Sequence, residues 1–436
     1  MKRGLLVGVY LPVLIFEVGI GAITPVVPLS AVDLGASLAG AGLVVALLGI
    51  GQLAGDLPAG AVTARLGDRR AMLLAALAAT VVLVGAASAP GVATLGASLF
   101  LLGAINAVFM LARHSYLTET TPAVRRARVL STLGGVQRMG IFVGPFLGAG
   151  AVHLFGLRSV YWLAVATSLI SAVVVAMVRD DAAASRSTRV TVSTWRVLVD
   201  HRKVFATLGL AGLLVGAARG CRQTVLPLWG EHLGLAPATT AIVFGISGAA
   251  DMLLFYPAGR LMDRRGRLWT ALPSMLILAL GFALLPLTSS LAGITWVAVV
   301  IGLGNGMGSG ILMTLGADVA PRAVRAQFLG IWRLCQDAGT AGGPLVVAGG
   351  AALGSLAGGI WAMGGVSLAS AAGLARWAPR WSVHASRTTR RRAGLLPTRV
   401  ATLPAQGQEA EHHTGGADGH RPGSDGPRQG QGAQDQ

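Results

Sequence analysis

The chain alternates long apolar segments with short polar turns, and this alternation restricts its fold more than any other feature. A helix needs about 20 apolar residues to cross roughly 30 Å of hydrocarbon. Helices are the expected element, because an open strand leaves backbone N–H and C=O groups unpaired in lipid. The sequence therefore predicts an all-α integral membrane protein with twelve transmembrane helices. The apolar segments lie near residues 4–29, 38–61, 71–89, 93–114, 129–154, 157–178, 203–230, 237–260, 268–287, 290–317, 326–350 and 354–377.

These segments form two sets of six, because the sequence repeats itself at an offset of 199 residues. A duplicated membrane unit is typical of secondary transporters. We predict two pseudo-symmetric six-helix bundles, residues 1–178 and 203–377, joined by a cytoplasmic linker, 179–202, and followed by a disordered tail, 378–436. Without gaps, the offset pairs Pro28 with Pro227, Gly103 with Gly302, Asn106 with Asn305, Arg126 with Arg325, and Gly144-Pro145 with Gly343-Pro344.

The composition excludes several classes of protein. Hydrophobic residues make up 53% of the 436 residues and charged residues only 12%, so lipid is the main solvent. The net charge of +17 comes mostly from arginines in short turns, and no basic domain is present to bind nucleic acid. Cys221 and Cys335 lie inside apolar segments, without disulfide or metal-ligand spacing. We expect no metal and no cofactor.

Arginines are concentrated on one side of the predicted membrane. Positive charge marks the cytoplasmic side, so we expect both termini in the cytoplasm and the chain in an inner (plasma) membrane. The first segment follows Met-Lys-Arg but is too long for a signal peptide, and we interpret it as the first span. The basic turns carry Arg65, Arg69, Arg70, Arg125, Arg126, Arg128, Arg264, Arg265, Arg267, Arg322 and Arg325.

The turn after the second segment of each half carries a charged motif. Its glycines allow a tight turn, and its aspartate can cap a helix or pair with the arginines. Such a turn can lock one conformation, and a solvated ring of charges is the alternative. The first copy has Ala64 where the second has Asp263, so Asp56 or Asp68 would have to supply the acid. The motif residues are Gly60, Arg65, Gly67, Arg69 and Arg70, and then Gly259, Asp263, Arg264, Gly266 and Arg267.

Two acidic residues near the same surface also repeat at the offset. Glu119 follows the fourth segment and Asp318 follows the tenth. We expect Glu119 to pair with Arg65, and Asp318 with Arg264.

The fifth segment contains glycines four residues apart, Gly140, Gly144 and Gly148, with Pro145 between them. Such spacing gives a flat face for close helix packing, and the proline removes a backbone hydrogen bond where a kink is useful. Ordinary packing is the alternative to a specific motif. The eleventh segment has the counterpart residues Gly339, Gly343 and Pro344.

Residues 1–377 resemble the major facilitator superfamily of transporters, most of all its twelve-helix drug:proton antiporter branch. The charged turn resembles the family's G-x-x-x-D-R-x-G-R-R signature, and the glycine motif resembles its antiporter motif. One departure is Leu99, close to Gly103, where the family often has an arginine on helix 4. The resemblance implies that helices 1, 4, 7 and 10 line a central cavity. It places Glu17, Asn106, Arg219, Arg222, Gln223 and Asn305 near a substrate.

Glu17 is the first candidate for a proton-binding group. Ionisable residues at bilayer depth cost about 2.5–3.5 kcal/mol on insertion scales, so they face a partner or a wet cavity. Loss of solvent disfavours the charged form of a carboxyl, which lets a proton bind and leave. The alternative is a permanent ion pair between Glu17 and Arg219 or Arg222.

Further charged residues lie where the resemblance brings the two halves together. Helices 5 and 8, and helices 2 and 11, are neighbours in that fold, so Arg138 is expected near Asp251 and Gln52 near Asp337. Arg333 and Asp337 stand four residues apart and can instead neutralise each other.

The resemblance implies export of amphipathic or hydrophobic small molecules in exchange for protons. A proton-coupled importer or a facilitator of a defined metabolite is the nearest alternative, and a membrane sensor or enzyme on the same scaffold is a remote one. The chain has no phosphate-binding loop of the P-loop type, which favours an ion gradient over ATP. The expected partners are the substrate, protons and lipid, with no obligate protein partner.

Overall fold

The computed structural model describes residues 6–121, 123–177 and 194–394. Within these ranges every regular element is a helix. The longest helices coincide with the twelve apolar segments, which confirms the predicted fold class.

The first half contains helices α1 to α6. Helix α1 follows a π-helical turn, Leu6–Tyr10, and it is bent by 41° at a short turn that divides it into α1a and α1b. The helices are α1a (Leu11–Ile23), α1b (Val27–Asp33), α2 (Leu38–Leu66), α3 (Asp68–Ala87), α4 (Val92–Thr120), α5 (Ala123–Phe155) and α6 (Ser159–Met177).

The second half contains helices α7 to α12. Helix α10 is divided at Gly310, which has a left-handed backbone with φ of 79°. A π-helical turn, Phe205–Gly209, precedes α7. The helices are α7 (Leu210–His232), α8 (Pro237–Arg265), α9 (Leu268–Leu284), α10a (Leu291–Met307), α10b (Ile311–Val319), α11 (Arg325–Ala352) and α12 (Leu356–Trp381).

Ten of the spans in the described ranges are long and apolar enough to cross a membrane, and α1 makes an eleventh if its bent pair is one span. Helix α11 is the one predicted span that does not pass the same test of length and hydropathy. Arg333, Gln336, Asp337 and several glycines dilute its apolar character. These residues fit a helix that packs against other helices more than against lipid.

Glycines form the predicted tight turns at the charged motif. Gly67 ends α2 with φ of 78°, and Gly266 ends α8 with φ of 106°. Residues with a Cβ are strained in this region of backbone space, and glycine is not. Each turn therefore passes directly from one long helix into the next.

Close helix packing in both halves depends on the predicted glycine motif. A Cβ added to Gly140 of α5 would lie 2.7 Å from the Glu17 Cβ on α1, and one added to Gly144 would lie 2.6 Å from the Gly21 carbonyl carbon. On α11, a Cβ at Gly343 would lie 3.0 Å from the Cys221 nitrogen of α7. Helices α1 and α5, and helices α7 and α11, therefore cross backbone against backbone.

The two halves contact each other through α2 with α11 and through α5 with α8. A Cβ at Gly42 or Gly49 of α2 would lie 3.0 Å or 2.9 Å from an atom of Ala348 or Ala341 on α11. Nearer the arginine-rich turns, a Cβ at Gly134, Gly135 or Gly330 would meet no described atom within 4 Å. Gly42 and Gly49 therefore bring α2 close to α11 away from the arginine-rich turns.

The region after the last span differs from the prediction. Helix α12 continues to Trp381, beyond the expected end at 377, and a short helix, Arg387–Arg392, follows. The amides of Arg267 and Leu268 donate to the His384 and Ala385 carbonyls at 3.2 and 3.0 Å. Residues 378–394 are thus held by the turn after α8, whereas the rest of the expected tail lies outside the described residues.

Only part of the expected linker is described. The described part includes the helix Thr194–Asp200, which packs against α11. Residues 178–193 lie outside the described ranges.

We expect Gly144→Val to destabilise the protein, because the new side chain would overlap the backbone of α1. Overpacking of this kind costs about 1–3 kcal/mol. Gly150→Val on the same helix is the control, since a Cβ there meets nothing within 4 Å. Thermal unfolding in detergent measures both. Equal melting temperatures for the two variants would contradict the described packing.

We also expect Gly42→Cys with Ala348→Cys, in a chain whose two native cysteines are replaced by alanine, to form a disulfide between the halves. The added Gly42 Cβ lies 3.0 Å from the Ala348 Cβ, near the ~3.5–4.5 Å of a disulfide. The bond should form under oxidation, and a reductant should break it. Mobility in gels measures the crosslink. Each single cysteine variant is the control, and absence of the crosslink under oxidation would contradict the contact.

Candidate functional site

The most deeply buried charges of the first half form one ion pair. The Arg113 Nη1 on α4 lies 2.8 Å from the Glu17 Oε1 on α1, and these side chains are 0% and 4% exposed. Stacked rings of Phe16 and Phe109, with centroids 4.4 Å apart, lie one residue from Glu17 and four from Arg113. The alternative that paired Glu17 with Arg219 or Arg222 is wrong, because its partner is Arg113. Helix α4 supplies a nearer guanidinium.

The Glu17–Arg113 pair has unused hydrogen-bonding capacity. Arg113 Nη2 donates to the Met110 sulfur, while Arg113 Nε is buried without a partner among the described residues. Glu17 itself lies at the crossing of α1 and α5, against Gly140. A change in the charge of the Glu17 carboxyl would therefore act directly on the packing of α1 against α5.

A second polar cluster, which we name the Asp251 cluster, joins α5, α7, α8 and α10. Asp251 accepts hydrogen bonds from Arg138 Nη1 at 3.2 Å and from Arg222 Nη1 at 3.3 Å. Asn305 Nδ2 donates to Asp251 at 2.7 Å, and Asn305 Oδ1 accepts from Arg219 Nε at 2.9 Å. The structure thus brings Arg138 and Asp251 together across the two halves, as expected from the sequence.

The third cluster lies between α2 and α11. Arg333 Nε is 3.3 Å from Asp337 Oδ2 on the same helix. The Asp56 carboxyl of α2 lies close enough to interact electrostatically with both Arg333 and Asp337. The expected approach of Gln52 to Asp337 stays a prediction, and Asp56, one turn further along α2, joins the same cluster. Two carboxyls can share a hydrogen bond only when one of them carries a proton.

The charged turns also differ from the expected pairing. Arg267 binds Asp318 with both Nε and Nη2, at 3.0 and 3.3 Å, and it lies 3.8 Å from Asp263. The expected partner of Asp318 was Arg264, so that pairing is wrong. Arg267 starts the next helix and points toward α10, whereas Arg264 lies in the last turn of α8.

The first-half turn makes a different set of contacts. Arg69 donates from Nε and Nη2 to the carbonyls of Val175 and Ala176 at the end of α6, at 3.3 and 2.8 Å. The side chain of Glu119, the expected partner of Arg65, lies outside the described part of the chain. The two turns therefore share their backbone course but not their ion pairs.

The fold separates the other residues that were predicted to line the central cavity. Asn305 belongs to the Asp251 cluster, whereas the Oδ1 of its repeat counterpart, Asn106, is buried without a hydrogen-bond partner among the described residues. Gln223 is exposed. Only Asn305, Arg219 and Arg222 of the six predicted cavity residues therefore share one network.

Sequence reasoning missed Arg113 and the role of Asp56. The fourth segment was expected to end at residue 114, which placed Arg113 at the membrane edge. Helix α4 continues to Thr120, so Arg113 lies well inside it. One signal in the sequence could have identified Arg113. Glu17 and Arg113 correspond to Gly216 and Leu312 in the second half. Both charges are therefore present only in the first half, as expected for two residues that pair with each other.

We expect Arg113→Met to destabilise the protein by about 3–5 kcal/mol, because it leaves the Glu17 carboxylate buried without its partner. Glu17→Gln combined with Arg113→Met should recover most of that loss, since neither charge remains. Unfolding in detergent at neutral pH measures both. The loss in Arg113→Met should shrink at low pH, where Glu17 can bind a proton. A double variant as unstable as Arg113→Met would rule out this account of the pair.

Comparisons with known proteins agree with this architecture. The family profile described as Major Facilitator Superfamily matches residues 10–344 and 210–403. The chain is 26% identical over 170 residues to the multidrug resistance protein MdtG of Proteus mirabilis, covering 38% of this chain and 42% of that protein. It is 28% identical over 140 residues to MdtH of Klebsiella pneumoniae, covering 32% and 34%. Each match spans less than half of the relative's length.

Solved structures share the fold over most of the chain. The nucleoside transporter NupG superposes with a TM-score of 0.69 at 15% identity, covering 86% of this chain and 99% of that one. A D-xylose-proton symporter gives 0.64 at 17% identity, covering 84% and 95%. A POT family transporter gives 0.72 at 14% identity, covering 87% and 96%. With the family profile across more than half of its length, the chain belongs to the Major Facilitator Superfamily of membrane transporters.

Proposed function

We propose that this protein exports amphipathic or hydrophobic small molecules in exchange for protons, by alternating access between two six-helix halves. The observation that carries the proposal is the Glu17–Arg113 pair, in which a carboxyl only 4% exposed is held by one guanidinium at the crossing of α1 and α5. Ionisable groups at this depth in a membrane typically belong to a transport or proton pathway.

Protonation of Glu17 would change the forces at this crossing. The neutral carboxyl no longer attracts Arg113, whose guanidinium then needs another partner or water. Because Glu17 packs directly against Gly140, a shift of its side chain acts on the close contact of α1 with α5. Proton binding at Glu17 therefore favours a different arrangement of these helices, which is the requirement for coupling.

The Asp56–Asp337 contact is a second place where a proton can act. Here the shared proton would hold α2 of one half to α11 of the other. Its loss would leave two carboxylates in repulsion, which Arg333 offsets only in part. Alternating access needs contacts between the halves that open, and this one would open on deprotonation.

Two further observations favour export over import. The relatives from Proteus mirabilis and Klebsiella pneumoniae are named multidrug resistance proteins, although each match covers less than half of their length. The glycine motif on α5 also matches the antiporter motif of the family. The nucleoside transporter and the D-xylose-proton symporter share only the fold, and a metabolite importer remains the alternative.

The orientation of the chain is part of the proposal. Basic residues cluster in the turns after α2, α4, α8 and α10, which the positive-inside rule assigns to the cytoplasm. Both termini would then be cytoplasmic in an inner membrane. The tight contact between the halves would lie on the outer side.

We expect substrate addition to drive proton movement in proteoliposomes that contain the full chain under an imposed pH gradient. In Glu17→Gln the movement should fall at least tenfold while substrate binding remains, because no proton can bind at residue 17. Glu231→Gln, the same change near the end of α7, is the control. A pH-sensitive dye measures proton movement, with a panel of amphipathic molecules as substrates.

Two additional variants separate the possible outcomes. Where Glu17→Gln fails to fold, Glu17→Gln with Arg113→Gln removes both charges and serves in its place. Proton movement that survives these changes but is lost in Asp56→Asn would move the coupling site to the contact between α2 and α11. Transport without proton movement in the unchanged protein would overturn proton coupling and favour facilitated diffusion.

A further inference from the structure

We infer that the Asp251 cluster binds an anionic group of the transported molecule, so that the substrates are amphipathic organic anions. This inference rests on the proposed transport function and specifies its substrate class. The binding groups are the guanidiniums of Arg219, Arg138 and Arg222.

The cluster has an excess of positive charge. Three guanidiniums surround one carboxylate, and no other carboxylate of the described residues pairs with any of them. The three guanidiniums and one carboxylate leave a formal excess of two positive charges, and Arg219 has no carboxylate partner among the described residues. In a membrane interior such charges are costly, so they persist where a ligand or a wet cavity compensates them.

The cluster is also accessible. The side chains of Arg138 and Asp251 are 25% and 16% exposed, while Arg222 is 7% exposed. Charged groups at membrane depth face the space inside the protein and avoid the lipid. A molecule between the two halves could therefore contact Arg138 and Asp251 directly.

Arg219 offers the clearest unused binding capacity. Its Nε donates to Asn305, and among the described residues its two terminal nitrogens have no hydrogen-bond partner. A guanidinium fork matches two oxygens of a carboxylate, sulfonate or phosphate, and such charge-assisted bonds are stronger than neutral ones. Asn305 holds this fork in place because it is itself fixed by Asp251.

Aromatic rings lie beside the other two guanidiniums, and one of them, Phe255, is partly exposed. The Arg138 guanidinium lies 4.3 Å from the centroid of the Phe255 ring, and that of Arg222 lies 5.2 Å from the centroid of Phe244. These contacts orient the two arginines. The Phe255 ring also places apolar surface next to the positive charge, as an amphipathic anion requires.

An anion at this site would also act on the contact between the halves. Arg138 comes from the first half and Asp251 from the second, and their bond is 3.2 Å long. An incoming carboxylate or sulfonate competes with Asp251 for Arg138. Substrate binding would thereby weaken one bond that must break when the halves rock against each other.

A matched set of four naphthalene derivatives tests the charge preference: naphthalene-2-sulfonate, naphthalene-2-carboxylate, naphthalene-2-carboxamide and 2-naphthylmethylammonium. Calorimetric binding to the purified full chain in nanodiscs at pH 7, without any proton gradient, gives the affinities. We expect both anions to bind at least tenfold more tightly than the amide, because they can bind Arg219 through charge-assisted bonds. The ammonium should bind more weakly than the amide.

Variants identify the residue responsible. Arg219→Gln should weaken binding of the sulfonate about tenfold or more and leave the amide unchanged. Arg219→Lys should retain part of the sulfonate affinity, since it keeps the charge. Arg260→Gln, on the exposed surface of α8, is the control. If Arg219→Gln does not fold, Arg219→Lys must still weaken the sulfonate more than the amide.

Any one of three results would overturn the inference: neither anion binds, the ammonium binds as tightly as the sulfonate, or no Arg219 variant changes the affinity for the sulfonate. Proton movement measured separately distinguishes this failure from that of the proposed function. Anion binding through Arg219 without proton movement supports the site and contradicts the coupling. Proton movement driven by the ammonium and not by the sulfonate supports the coupling and contradicts the site.

Discussion

Close backbone contact at glycines is the interaction on which the rest of this structure depends. In lipid, apolar side chains gain little by moving from the bilayer to a protein neighbour, so helices associate through close packing and polar contacts. Gly140 and Gly144 let α5 approach α1, and Gly343 gives the same approach between α11 and α7. Gly103 and Gly302 do so in the α2–α4 and α8–α10 pairs. These crossings fix the rotation of each helix, and the rotation decides which charged side chains point inward.

The two halves share a frame but carry different chemistry. The crossing that uses Gly216 in the second half has Glu17 at the equivalent position in the first, with Arg113 opposite it. The reverse holds for Asp251, whose repeat counterpart is the neutral Gln52. The two bundles are thus similar in backbone and different in charge. The first contains the buried Glu17 carboxyl, and the second contributes most of the guanidinium-rich Asp251 cluster.

Several parts of the site could be predicted because they depend on sequence spacing within a known arrangement of helices. Arg138 and Asp251 were expected together on that ground, and the structure brings them together. The pairing of Asp318 was wrong by a single turn, because Arg267 takes the place expected for Arg264. Asp56 was not expected among the charges around Asp337. One turn of a helix rises only about 5.4 Å, less than the reach of an arginine, so hydropathy alone does not choose between neighbours.

The sequence by itself determined the helical class, the approximate positions of the spans, their duplication at 199 residues and the turns in which the arginines are concentrated. These properties follow from local composition and from the thickness of the bilayer. Only the tertiary structure decided the partner of each buried charge. Glu17 and Arg113 are 96 residues apart in the chain, and whether they meet depends on the rotation, the bend and the actual end of α1 and α4. Those quantities are set by packing between distant helices, which no local pattern encodes.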